Sequence, residues 1–278
     1  MAISQSVRSR PTRTHPRWHR PRVGMVLFAA SIFMGSAMDA RALTTVPGGS
    51  ISVNTTWTAA GSPYVVTGDF SVDPGVTLTI QAGVVVKFYS NTRLILNGTL
   101  DSQGIAGSLI YFTDIRDDGP AGDTNGDGSA TIPAPGWWNG IYVADGGAGT
   151  LEFCIIRYAG LGSPYSNLYK TGTGLLTVRN STITRSNDYG VFIEASLAMH
   201  EISGNTVANN GSNGIRLDSA GGNVAVWGNI VQNNGLIYSS DGIYILNTSP
   251  SVESNNVTGS TAYGVGVYGT GVPTSFIM

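Results

Sequence analysis

Residues 190–217 read GVFIEASLAMHEISGNTVANNGSNGIRL, and the fold follows from that stretch. It opens on Gly190-Val-Phe-Ile and closes on Gly214-Ile-Arg-Leu, 24 residues later. The same tetrad returns as Gly242-Ile-Tyr-Ile and Gly264-Val-Gly-Val, at intervals of 28 and 22, and Gly140-Ile-Tyr-Val stands 50 residues before the first. A second column runs through Val178, Ile202, Val226 and Val252; three residues after each come Ser181, Asn205, Asn229 and Asn255. Short Val/Ile/Thr runs of period two, broken by Gly and Asn, are strands rather than helices. Several such strands within a repeat near 24 residues make one turn of a parallel solenoid. Leucine-rich repeats need a leucine spacing and a helical half that are absent, and propeller blades need about 40 residues.

The composition fits a coil that bends several times per turn. The chain has 38 Gly in 278 residues, about twice the usual share, and only 12% charged residues. Gly and Asn tolerate the left-handed backbone of tight corners, and stacked Asn side chains can bond the turns above and below. Inward positions are expected at Val191 and Ile193, Ile215 and Leu217, Ile243 and Ile245, and Val265 and Val267. About eight turns are expected.

The ends differ from the middle. Residues 1–42 hold seven of the 15 Lys+Arg and one of the 17 Asp+Glu. An arginine-rich leader, an uncharged run from Val23 to Met38 and Ala40-Arg41-Ala42 have the order of a secretory signal peptide. The run is short for a membrane span, so the expectation is a secreted, extracellular or cell-surface protein with no membrane span after signal cleavage. Residues 43–63 are expected as a lead-in or cap and 64–278 as the coil, with a loop inserted at 114–137. The chain stops at Met278 just after a repeat strand without a polar cap, which is expected of a truncated coil. Without its leader the chain is acidic, which argues against nucleic acid and suits cations or sugars. A single cysteine, Cys154, excludes an intrachain disulfide framework and reads as a small buried residue.

The segments PGVTLTIQAGVVVKF (Pro74 to Phe88), LILNGTL (Leu94 to Leu100) and TLEFCIIRYAG (Thr150 to Gly160), with the later N-x-V-x-N-N-G and G-I-x-I pieces, resemble bacterial secreted right-handed parallel β-helix proteins of the pectin-lyase-like superfamily. The resemblance covers about residues 64–270. It implies an all-β, right-handed parallel β-helix. It leaves activity open, because the superfamily mixes polysaccharide lyases, hydrolases, epimerases and surface proteins without known chemistry. The galacturonan-hydrolase signatures G-H-G and R-I-K and the epimerase-like D-P-H are absent; Asp117-Asp118 falls in a loop, and His200 falls in the inward column of Leu176 and Val224.

Three candidate sites remain. Phe192, Arg216 and Tyr244 should form one outward column, with Tyr142 further down, offering flat platforms to sugar rings and a cation to an acidic one. Two residues on, Glu194 and Asp218 should sit on adjacent turns about 4.8 Å apart. That is close enough for an acid/base pair beside Arg216 in a lyase, hydrolase or epimerase, or for a surface cluster that Arg216 neutralises. Asp123-Thr-Asn125-Gly-Asp127-Gly128 matches the opening of a calcium loop, D-x-N-x-D-G. Position 12 is Ala134 rather than Glu, so Asp117, Asp118 or a carbonyl would have to complete the shell. Trp137-Trp138 should pack over the coil or line a groove under that loop. The leading expectation is a non-catalytic exported protein that contacts polysaccharide or another envelope component. The alternatives are an enzyme on an acidic polysaccharide and a structural spacer.

Overall fold

The structure, a computed structural model, describes residues 43–221, 224–270 and 273–277. The expected signal peptide lies outside the described residues.

Each coil gives one short strand to each of three parallel sheets of nine strands. Sheet 1 runs from Thr44–Val46 to Asn256–Thr258, sheet 2 from Gly49–Ile51 to Val265–Tyr268, and sheet 3 from Thr55–Trp57 to Ser275–Ile277. The described residues therefore form nine coils rather than about eight. The extra one is built from residues 44–57, expected as a lead-in: Thr44–Val46 pairs with Tyr64–Val66, and Thr55–Trp57 with Thr77–Ile80. That coil carries neither the tetrad nor an aligned Asn, so the repeat does not reveal it.

Val178, Ile202, Val226 and Val252 are directly paired, one coil to the next, and fully buried. The inward tetrad positions line up as Leu168, Val191, Ile215, Ile243 and Val265. Fully burying such side chains contributes about 1.5–3 kcal/mol each. Val267 continues the neighbouring column in register with Ile245, yet 43% of it is exposed, since no further strand of sheet 2 covers it among the described residues.

The corners also repeat. Asn180, Gly204, Gly228 and Ser254, between sheets 3 and 1, all have φ near +50 to +64°. Arg185, Asn209, Asn233 and Gly259 do the same between sheets 1 and 2, and Ala195, Ser219, Asn247 and Gly269 between sheets 2 and 3. One left-handed residue per corner turns the chain.

The Asn column is a buried ladder. Asn205 Oδ1 accepts from Ser181 N (2.9 Å); Asn205 Nδ2 donates to Val178 O (2.9 Å) and to Asn229 Oδ1 (3.0 Å). Asn229 repeats the pattern with Ile202 O and Asn255 Oδ1. A second ladder joins Ser186, Asn210 and Asn234. The tetrad glycine, whose φ is ordinary at Gly190 and Gly214, makes room for the next coil: a Cβ at Gly190 would lie 2.6 Å from Gly214 O and 2.7 Å from Asn210 Nδ2, and one at Gly214 would lie 2.7 Å from Asn234 Nδ2 and 2.8 Å from Gly242 O.

Candidate functional site

The outer face of sheet 2 carries the expected column, and it is longer than expected. Tyr142 pairs with Tyr169, Tyr169 with Phe192, Phe192 with Arg216 and Arg216 with Tyr244. Ring centroids are 5.1 Å apart for Tyr142–Tyr169 and 5.2 Å for Tyr169–Phe192, and Tyr244 stacks on Tyr268 at 4.6 Å. Between these runs stands Arg216, its guanidinium carbon 4.9 Å from the rings of Phe192 and Tyr244 and 5.1 Å from that of Tyr189. Cation–π contact of this kind favours a charge kept among rings. Arg216 Nη1 donates to Tyr189 Oη (2.9 Å) and Nη2 to Asp218 Oδ2 (2.9 Å), while its Nε is buried without a partner.

Glu194 and Asp218 do occupy paired positions on adjacent coils, but each carboxylate has its own donor. Tyr169 Oη donates to Glu194 Oε2 at 2.6 Å, and Asp218 takes Arg216 and the Ser219 hydroxyl. Burial first, and then Glu194, pushes the Tyr169 phenol above its usual range.

Several participants were not expected. Tyr169 belongs to the coil between Gly140 and Gly190, where Asn167-Leu168-Tyr169-Lys170 replaces the Gly-led tetrad. Asn167 fills the glycine's place and bonds Ala159 N and Thr184 O, and Lys170 enters the inward column of Val143 and Ile193. Lys170 is fully buried, its Nζ donating to the carbonyls of Ala144, Thr171 and Thr173, and desolvation lowers its pKa to about 8. Asp188 and Asp241 border the Arg216 column. Tyr268 Oη and Tyr263 N donate to Asp241. Asp188 is partly desolvated, which raises its pKa to about 6 against the lowering pull of Ser212 and Arg216. A depression of about 280 Å³ opens here, bordered by Tyr189, Ser212, Arg216, Ser240, Asp241 and Tyr244. Spacing arguments confined to the tetrad could not reach these corner residues.

The acidic loop folds on itself and on the coil. Asp123 accepts backbone N–H groups of Gly126, Asp127 and Gly128 at 2.8–3.2 Å, and Asn125 Nδ2 donates to Asp127 Oδ2 (2.9 Å). The charge is answered from distant sequence: Lys87 Nζ, wholly buried, donates to Gly122 O, and Arg157 reaches Asp117 at 2.5 Å. Arg116 pairs with Asp114 and lies 3.5 Å over Trp137. Trp138 is buried and stacks on Phe88 at 4.0 Å. Oxygens of Asp118, Asn125 and Asp127 are buried without hydrogen-bond partners, and no group of three or more acidic, His or Cys side chains converges into a metal set among the described residues.

His200 and Cys154 are both buried in the coil. His200 Nδ1 accepts from Leu176 N (3.1 Å), which leaves the proton on Nε2, 2.6 Å from the Ser196 hydroxyl. Burial lowers its pKa to about 4. Cys154 is buried against Ser102, and burial pushes its thiol up to about 12. No helix among the described residues is long and apolar enough to cross a membrane.

No solved structure matches the chain. The curated relative "Protein bark beetle" of Drosophila melanogaster is 35% identical over 74 residues, which is 27% of this chain and 2% of that protein. The chain therefore spans about 2% of the length of the curated relative it matches. The family model "Right handed beta helix region" matches residues 132–276, more than half of the chain and the part where tetrads and ladders are most regular. On that match and on its parallel coils, the chain belongs to the right-handed β-helix family.

Proposed function

We propose that this is an exported, non-catalytic β-helix whose sheet 2 outer face binds an extended polysaccharide or envelope glycan. One observation carries the reading: the unbroken column Tyr142–Tyr169–Phe192–Arg216–Tyr244, with Arg216 held between rings. Strands recur about every 4.8 Å, so the part-exposed rings of Tyr142, Tyr169 and Tyr244 offer platforms spaced along a chain-like ligand. The cation amid the rings selects sugars that carry a carboxylate or sulfate. The arginine-rich leader supports export. Glycan-array binding, lost in Tyr244→Ala and in Arg216→Ala, is the expected result; undiminished binding in both variants removes the site.

A second reading, cleavage of an acidic polysaccharide, is favoured by one feature: Asp188, next to Tyr189 and within reach of the Arg216 charge, holds its proton to about pH 6 because burial disfavours its charged form. Such a group could serve as an acid; Glu194 and Asp218 lie toward the opposite end of the same strands, beyond Arg216. Release of unsaturated or reducing ends from uronate polymers, abolished in Asp188→Asn or Asp218→Asn, is its test. Null results in both assays leave a structural spacer. Calcium at the loop of Asp123, Asn125 and Asp127 is a further part of the proposal, supported by the unpartnered oxygens there. Millimolar calcium should then raise the thermal midpoint over chelator by about 2–4 °C per kcal/mol gained, and an unchanged midpoint discards it.

A further inference from the structure

The outer face of sheet 3 differs in kind. Arg179 pairs in register with Ser203, and Ser203 with Trp227, so a small residue separates two large ones. Two strand spacings, about 10 Å, lie between the guanidinium-bearing strand and the indole-bearing one. Arg179 grips Glu201 through Nε to Oε1 (2.9 Å) and Nη2 to Oε2, and Ser203 Oγ donates to Glu201 Oε1 (2.8 Å). Depressions of about 360 Å³ and 600 Å³ share Arg179, Glu201 and Trp227 as walls; the first is floored by Ser203 and Gly204, and the second continues past Ala225 to Leu175 and Met199. Trp227 is 50% exposed, whereas Trp57 and Trp138 are buried and Trp137 lies under Arg116. Leaving an indole face in water forgoes the largest apolar burial a side chain can provide.

We infer that this slot is a second ligand site, separate from the sheet 2 column, that takes a ring of an uncharged glycan. The indole face meets the C–H face of the ring. The Arg179–Glu201 pair supplies fixed donors and acceptors for its hydroxyls, and Ser203 leaves the space it fills. The pair is internally neutralised, so an anionic sugar finds no unpaired cation here. The inference rests on sheet 3 alone and does not need the sheet 2 reading.

Indole emission reports on it directly. The full exported chain is titrated with a β-linked glucose hexaose, and in parallel with a galacturonate hexaose and an apolar peptide. The neutral hexaose should shift tryptophan emission to the blue. Trp227→Ala should weaken its binding at least about tenfold, and Trp227→Phe should weaken it less. Because Trp227 is half in water, both variants should keep the parent's circular dichroism. Neutral-hexaose binding that survives Trp227→Ala overturns the inference. So does an emission shift produced by the apolar peptide and not by the glycan, which would make the face a protein-docking surface.

Discussion

Two faces of one coil, sheet 2 and sheet 3, show what register does with side-chain size. On sheet 2, large residues follow one another in consecutive coils, Tyr142, Tyr169, Phe192, Arg216 and Tyr244, and cover each other; Phe192 points outward yet is only 7% exposed. On sheet 3 the column Glu152, Arg179, Ser203, Trp227 and Glu253 is interrupted by one small residue, Ser203, and the face stays open there. The backbone is the same in both. An outer face closes or opens according to whether residues about 24 apart are all bulky, which no single strand reveals.

The difference should appear most strongly in stability. Phe192→Ala empties a site packed by Tyr169, Tyr189 and Arg216 and should cost about 3 kcal/mol in denaturant unfolding. Trp227→Ala should stay within about 1 kcal/mol. Equal losses would break the comparison.

The corners beside the two faces should respond oppositely to acid. His200, under sheet 3, has a folded pKa of about 4, below its ordinary 6.5, so between those values the unfolded chain takes up the proton. Its contribution is complete above about pH 6.5 and is lost as pH falls toward 4. Asp188, beside sheet 2, has a folded value of about 6, above 3.8. The folded chain holds that proton longer, so the contribution is complete below about pH 3.8 and is lost as pH rises through 6. Thermal midpoints across pH 4–7 should therefore fall less steeply on acidification in His200→Asn, by on the order of 1–2 kcal/mol at pH 4 after solvent screening. In Asp188→Asn they should fall more steeply than in the parent. Parallel curves for all three proteins would refute the assignment.

The smallest effect belongs to the open face. Arg179→Met removes an ion pair that stands largely in water and should change stability by less than about 1 kcal/mol. A larger loss in urea unfolding would mean that Arg179 is held by packing against its neighbours, as Arg216 is on sheet 2.

Much of this was legible in the amino-acid sequence. The Val178-to-Val252 column, the Asn205–Asn229–Asn255 ladder and the outward line Phe192, Arg216, Tyr244 with Tyr142 all follow from period and alternation, because stacking turns equal spacing into contact. The rest lay where spacing carries no mark. Residues 44–57 form a coil without a tetrad. Tyr169 sits where Asn167 stands in for glycine. Trp227 faces outward from a sheet on which equal spacing marks only the inward column. The D-x-N-x-D-G motif reads clearly, but Lys87 and Arg157, which balance that loop, come from strands far away in sequence.

Everything on both faces depends on coils stacked in register, and a cysteine pair measures that directly. Glu194 and Asp218 are paired neighbours one coil apart, whereas Glu194 and Leu246 are two coils apart. A disulfide needs Cα atoms within about 7 Å. The native Cys154 is buried and does not compete. Mild oxidation should link Glu194→Cys with Asp218→Cys nearly completely, without changing circular dichroism, and leave Glu194→Cys with Leu246→Cys as free thiols. A second pair that links as readily as the first, or a first pair that stays reduced, would contradict the stacking on which both faces are built.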